Sequence, residues 1–269
     1  MQGLSLGLAI GSHFFFVYVF LAITKNDNVM KEKELGTQKE RVLAEIKDIQ
    51  SYVKLVLENA RNGSFVYRGH ASKKWPLKSS IGRNDNYTKD LEKEVFLHFK
   101  RNYYSYTAER PESDMDLLFL GQHYGLPTRL LDFTYNPMIA LYFACEKVTE
   151  KDQEQDGRVY VKSMENMLLM DADTNPNMPR TIDDVLTIDS ARFVVPNYTD
   201  ARYKNQKALF LLSDKPKSPF TFVTDSYVIK KESKEQILRD LANLGYDKTL
   251  VYPLLDSLCA DIKREFGLK

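Results

Sequence analysis

Two stretches of this 269-residue chain hold the side chains best suited to chemistry. The first is Ser64-Phe65-Val66-Tyr67-Arg68-Gly69, a β-prone run that places Phe65 and Tyr67 on one face and Val66 and Arg68 on the other. An arginine at a strand end followed by glycine suits an anion, because guanidinium offers paired donors and glycine lets backbone approach. The second runs from Gly121 to Thr134 and contains Gln122, His123, Tyr124, Thr128, Arg129 and Asp132. Polar and charged groups there interrupt apolar ones with neither helical nor strand period, so periodicity does not account for them. His123 titrates near neutrality and suits general acid or base work; as a lone histidine at a helix end it equally suits packing. Asp132 offers a fixed carboxylate, or a structural ion pair with Arg129 or Arg68. His70 and His98 have no ligand-spaced partners, and no metal site is predicted.

These residues need a frame. Thr37-Gln38-Lys39-Glu40 has the capping-box form, and Val42, Ile46, Ile49, Val53, Val56 and Ala60 recur in steps of four and three, which predicts one amphipathic helix ending near Gly63. Trp75, as core anchor or stacking platform, lies in a loop before a helix from about Asp90 to Tyr104 with Leu91, Val95 and Phe99 inward. Glu92 and Glu94 of that helix are its candidate carboxylates, one facing solvent and one facing in. Another helix runs from Asp114, with Gly125 in the C′ place. Asn136-Pro137 opens an almost wholly apolar, buried helix to Cys145. The later β-prone runs are Arg158–Val161, Phe193–Val195, Ala208–Leu212, Phe220–Val223 and Tyr227–Ile229. Ser233-Lys234-Glu235-Gln236 reads as a second capping box, and Pro253 starts a terminal helix to Phe266. Helices early and strands late predict an α+β fold rather than a repeating βαβ sheet. The expectation is a single domain with helices mainly in the first half and a mixed or antiparallel sheet largely from the second, preceded by an apolar N-terminal helix.

Bulk properties agree with a folded domain, since apolar residues are 43% and charged residues 28% of the chain. A net charge of +1 draws it to no polyanion globally. Cys145 and Cys259 sit in apolar helical patterns and read as buried thiols of a reducing compartment. Leu4 to Thr24 carries no charge and is long enough to span a bilayer. Lysines and arginines follow this run and none precedes it, which places the remainder in the cytoplasm with the N-terminus outside. The expected division is a hydrophobic anchor at 1–24, a polar linker at 25–36 and a domain at 37–269. With translation from Met30 the same domain is a soluble cytoplasmic protein.

Phe65-Val66-Tyr67-Arg68-Gly69, Trp75-Pro76-Leu77, the run Gln122 to Asp132, Asn136-Pro137 and Ala140-Leu141-Tyr142-Phe143-Ala144 together resemble the FRG domain family in order and spacing. The resemblance continues through Gln206 and Phe210 to Thr249-Leu250-Val251-Tyr252-Pro253, and so covers roughly Thr37 to Phe266. The name-giving Phe is Tyr67 here. Aromatic-Arg-Gly on a strand, a later Thr-bearing stretch and an Ala-x-x-Phe helix are also similar to the NAD-binding core of ADP-ribosyltransferases. That likeness implies a nucleotide-type ligand, NAD, held by Arg68, Gly69, Gln122, Tyr124, Thr128, Arg129 and Gln206, with Thr128 or Thr134 in the hydroxyl role. The macromolecular acceptor of any transferred group stays open, and a self-limiting role in bacterial conflict is a guess from the class of chemistry rather than from these residues. A transferase usually carries Glu on its late strand, where this chain has Gln206-Lys207-Ala208. His123, Asp132 and Glu94 are therefore the candidate catalytic residues. The alternative is a binding module without turnover.

Overall fold

The computed structural model describes residues 41–149, 154–165, 167–171, 175–198, 200–221, 223 and 225–266. The apolar run Leu4–Thr24 and the linker after it lie outside the described residues. Among the described residues no helix is long and apolar enough to cross a membrane.

Apolar runs with a two-residue period build an eight-stranded mixed sheet. Its strands are β1 (Arg41–Ile46), β2 (Phe65–His70), β3 (Leu130–Thr134), β4 (Gly157–Ser163), β5 (Leu169–Asp171), β6 (Arg192–Val195), β7 (Ala208–Leu212) and β8 (Asp225–Ile229), in the order β1-β8-β4-β2-β3-β7-β6-β5. The two outermost pairs, β1 with β8 and β6 with β5, are parallel, and the other neighbours are antiparallel.

Side-chain alternation sorts the core. Phe65 and Tyr67 of β2, Val159 and Val161 of β4, and Tyr227 and Ile229 of β8 pack with apolar residues of α1 (Ile49–Ala60), α4 (Pro137–Cys145) and α7 (Lys234–Asn243). Leu130, Phe210 and Val194 pack with α2 (Lys89–Asn102), α3 (Asp114–His123) and α5 (Ile182–Thr187). Val66, Leu131, Phe133, Tyr160, Leu209 and Leu211 face the other way and pack with Leu77 and Val223 from loops. Each large side chain so buried contributes about 1.5–3 kcal/mol. Three further helices are found among the described residues: α6 (Ala201–Gln206) leads directly into β7, and α8 (Lys248–Val251) and α9 (Leu255–Glu265) follow α7.

Helix α4 lies unusually close to β2. A Cβ on Gly69 would stand 2.0 Å from the Ala140 carbonyl oxygen, and one on Gly157 would stand 2.1 Å from that of Ala144. Both glycines therefore admit the helix backbone itself. The expected N-cap and N1 residues do their work, with Asn136 accepting a hydrogen bond from the Met138 amide and Pro137 opening the helix. Gly125 follows the Tyr124 C-cap of α3 with φ +88°, as expected of a C′ glycine.

Elsewhere the sequence expectations need correction. The first helix starts later, at Ile49, where Asp48 caps the Ser51 amide, because Arg41–Ile46 is drawn into parallel pairing with β8. In α2 the buried residues are Glu92 and Phe96, rotated from the expected Leu91-Val95-Phe99 face, because Glu92 has a buried cation to meet. Phe220, Thr221 and Val223 lie in no strand. Ser233 makes no side-chain cap, since it closes a tight 3₁₀ turn with helical backbone angles. Pro253 lies between α8 and α9, so the terminal helix begins only at Leu255. Cys145 is buried as expected, but Cys259 is exposed on α9.

Candidate functional site

The sheet forks at its centre. Strand β2 keeps full register with β4 from Phe65 to His70, and β3 keeps it with β7 from Leu130 to Thr134. Between β2 and β3 the only registered pair is Tyr67 with Thr134. Beyond that pair the strands separate, and backbone groups of β3 lose their strand partner, which must be replaced. Arg68 supplies the replacement: its Nη1 donates to the Asp132 carbonyl oxygen at 2.5 Å and reaches the Asp132 carboxylate at 3.4 Å. Its Nε donates to His70 Nε2 at 2.9 Å. Nη2 makes no hydrogen bond among the described residues, and the side chain is only 16% exposed. Burial pulls this guanidinium below its ordinary pKa, opposed first by Asp132.

A cleft of about 140 Å³ opens at the fork, lined by Tyr67, Arg68, Gly69, Asp132, Phe133, Thr134, Phe143, Arg202 and Gln206. Strands β2 and β3, helix α4 and the α6–β7 junction each supply part of its wall. Gln122, at the end of α3, donates through Nε2 to Asp132 Oδ1 at 3.0 Å and accepts from the Thr128 hydroxyl. The Asp132 side chain is thus oriented from two sides yet 59% exposed. Gln206 is oriented too: its Nε2 donates to the Val251 carbonyl at 2.9 Å, which leaves Oε1 without a hydrogen-bond partner among the described residues. Arg202 makes no ion pair among the described residues and lies over the Tyr252 ring at 5.1 Å. The cleft therefore offers unspent cationic donors, one exposed carboxylate and one neutral acceptor.

Of the residues named from sequence, Arg68, Gly69, Asp132 and Gln206 line this cleft, and Gln122 braces it. The absence of a Cβ at Gly69 is required by α4, so its glycine character needs no anion to explain it. Thr128 is buried behind Gln122, where its hydroxyl also accepts from the Leu130 amide. Thr134 lines the cleft but donates to the Gln206 carbonyl oxygen at 2.5 Å and accepts from the Asn136 amide. Both hydroxyls are committed to scaffolding.

Arg129 is placed elsewhere. It is fully buried, forks onto both carboxylate oxygens of Glu92 at 2.8 and 2.7 Å, and caps the carbonyls of Val185 and Ser213. The partner of Asp132 is Arg68 instead. Glu94 is exposed on α2, outside the cleft, and its carboxylate makes no contact with Arg68 or Asp132. Its neighbour Glu92 is the inward one. His123 lines a separate cavity of about 210 Å³ with Asp116, Asp200 and Tyr203, its ring edge-on to Tyr203 and its Nε2 4.0 Å from Asp200. Burial lowers its pKa, with Asp200 opposing. Tyr124 is 67% exposed beside a third cavity, partly aromatic, with Phe99 and Tyr103. His70 and Arg202 were missed as site residues. The i+2 spacing of His70 from Arg68 on one strand was a usable signal, whereas nothing local marked Arg202. Among the described residues no cluster of His, Cys, Asp and Glu is arranged to hold a metal ion.

Residues 63–153 match the family model of the FRG domain, a span that starts just before β2 and runs past α4. It contains β2 and β3, the two strands that part at the fork, and an FRG domain is present there. No curated protein and no solved structure matches the chain.

Proposed function

We propose that the FRG domain holds a phosphate-bearing nucleotide of the NAD class in the cleft at the fork, and acts on it in the manner of an ADP-ribosyltransferase. The observation that carries this reading is convergence: Arg68 from β2, the Thr134 end of β3 and Gln206 before β7 meet at one small cavity. The free Nη2 of Arg68 suits a phosphate oxygen, and Gln206 Oε1 suits a ribose hydroxyl. A cleft of about 140 Å³ is smaller than the roughly 300–1,000 Å³ typical of whole-ligand pockets, so it encloses one end of such a ligand.

In this chemistry the bond between ribose C1 and the nicotinamide nitrogen breaks, and its electron pair leaves with nicotinamide. The ribose carries the resulting positive charge until an acceptor nucleophile adds at C1. Asp132, the carboxylate lining the cleft, is held by Gln122 and Arg68 where it can stabilise that charge. Purified chain incubated with NAD is expected to release nicotinamide. Arg68→Gln is expected to abolish binding, and Asp132→Asn to slow release about 100-fold while NAD still binds. Absence of NAD binding by calorimetry at millimolar NAD would discard the proposal. Binding without turnover would favour a second reading, a nucleotide-binding module. The uncharged Gln206 and the solvent exposure of Asp132 support that second reading, since water weakens a carboxylate's effect on developing charge.

A further inference from the structure

Arg68 can serve a ligand only if its guanidinium is held with Nη2 toward the cleft, and the Asp132 contacts alone do not fix it. Both are made by Nη1, at 2.5 and 3.4 Å, so the planar group remains free to pivot about that nitrogen. The second anchor is the bond from Nε to His70 Nε2 at 2.9 Å. His70 is 2% exposed at the end of β2, with its ring edge-on between Trp75 (6.0 Å) and Tyr160 (5.2 Å). A ring clamped between aromatic neighbours has little freedom to turn away. An Nε2 that accepts must be unprotonated, so the neutral ring carries its hydrogen on Nδ1. Its surroundings keep it neutral: burial first, then Arg68, Arg83 and Arg158 disfavour the imidazolium, and only the Trp75 backbone favours it.

We infer that His70 is a positioning residue whose imidazole locks the Arg68 guanidinium so that Nη2 faces the ligand. The inference rests on the proposed nucleotide site for its functional meaning, but its structural core is testable without any ligand. In the full chain labelled with ¹⁵N, the Arg68 Nε–H should give a slowly exchanging resonance, assigned by its loss in Arg68→Lys. That resonance should show a scalar coupling across the hydrogen bond to His70 Nε2. His70→Leu should remove the slow exchange. His70→Gln, whose amide oxygen can stand near Nε2, should restore it.

For function, NAD binding measured by calorimetry should weaken by at least about tenfold in His70→Leu and by less than about threefold in His70→Gln. An Arg68 Nε–H that exchanges rapidly in the wild type, or shows no coupling to His70, overturns the inference even if His70→Leu fails to fold. Unchanged NAD affinity in a folded His70→Leu also overturns it. If the wild type binds no NAD while the coupling is present, the nucleotide reading fails and the positioning role of His70 stands.

Discussion

Replacing Arg129 by methionine separates a ligand-binding arginine from a scaffolding one, because the two roles predict opposite outcomes. In the folded protein Arg129 makes charge-assisted hydrogen bonds to both Glu92 oxygens and satisfies the Val185 and Ser213 carbonyls. Arg129→Met leaves the Glu92 carboxylate, 3% exposed, with only the Tyr87 hydroxyl at 2.9 Å for support. Removing one partner of a buried ion pair costs about 3–5 kcal/mol. The abandoned carbonyls add to this at about 1–3 kcal/mol each, less what the methionine stem recovers by packing. A loss of at least about 4 kcal/mol is expected, a large part of the roughly 5–15 kcal/mol that holds a domain together. Urea unfolding followed by circular dichroism should show the midpoint collapse. The double variant Arg129→Met with Glu92→Leu removes both charges and should recover at least about 2 kcal/mol of that loss. A single variant that loses less than about 1 kcal/mol, or a double variant no better than the single, would refute the assignment of Arg129 to the scaffold.

Acid should weaken the fold before its carboxylates protonate. The folded-state pKa values of His70 and His123 are lowered, so below about pH 6.5 the unfolded chain binds protons that the native state refuses. Stability is then lost as pH falls, by up to about 1.4 kcal/mol per pH unit for each such histidine, until its folded pKa is reached. Glu146, raised by burial, acts with the opposite sign nearer its own range, so the window from pH 6.5 to about 5.5 reports the histidines, and His70→Phe should flatten it in urea titrations. Gly69→Ala should cost about 3 kcal/mol or more in the same assay, because its Cβ meets backbone at 2.0 Å and α4 must shift. A loss within about 0.5 kcal/mol would refute the requirement for glycine beneath α4. Asn136→Ala should cost about 1 kcal/mol through loss of the α4 cap, with no change in the Arg68 Nε–H signal.

Local signals were the legible part of the fold. The strand Phe65–His70, the buried run Ala208–Leu212, the Asn136-Pro137 start and the Gly125 stop all lie where composition and spacing place them, because each is decided by a few neighbouring residues. What escaped was decided from afar. Arg41–Ile46 has a helix-compatible spacing and becomes a strand only because β8 offers an edge. The inward face of α2 turns on Arg129, 37 residues away from Glu92, and no periodicity in the helix announces it. The short elements Leu169–Asp171, Ile182–Thr187 and Ala201–Gln206 give too few residues for a period to emerge.

The same division runs through the polar residues from Gly121 to Thr134, whose lack of period first marked them as functional. Most of their polar groups serve the fork rather than a ligand. Thr128 holds Gln122, Gln122 holds Asp132 and Thr134 ties β3 to the chain entering β7, while Arg129 fastens α2 away from the fork. A sheet that splits between two central strands leaves backbone groups unpaired on either side, and each must be met by a side chain, because burying it unmet costs about 1–3 kcal/mol. Dense, aperiodic polarity is therefore what a forked sheet demands before any ligand is considered. The residues that keep polar capacity after that demand is met, Arg68, Gln206 and the half-exposed Asp132, all line the same cavity. Their shared location, rather than the motif's polarity, is the argument that the fork binds something.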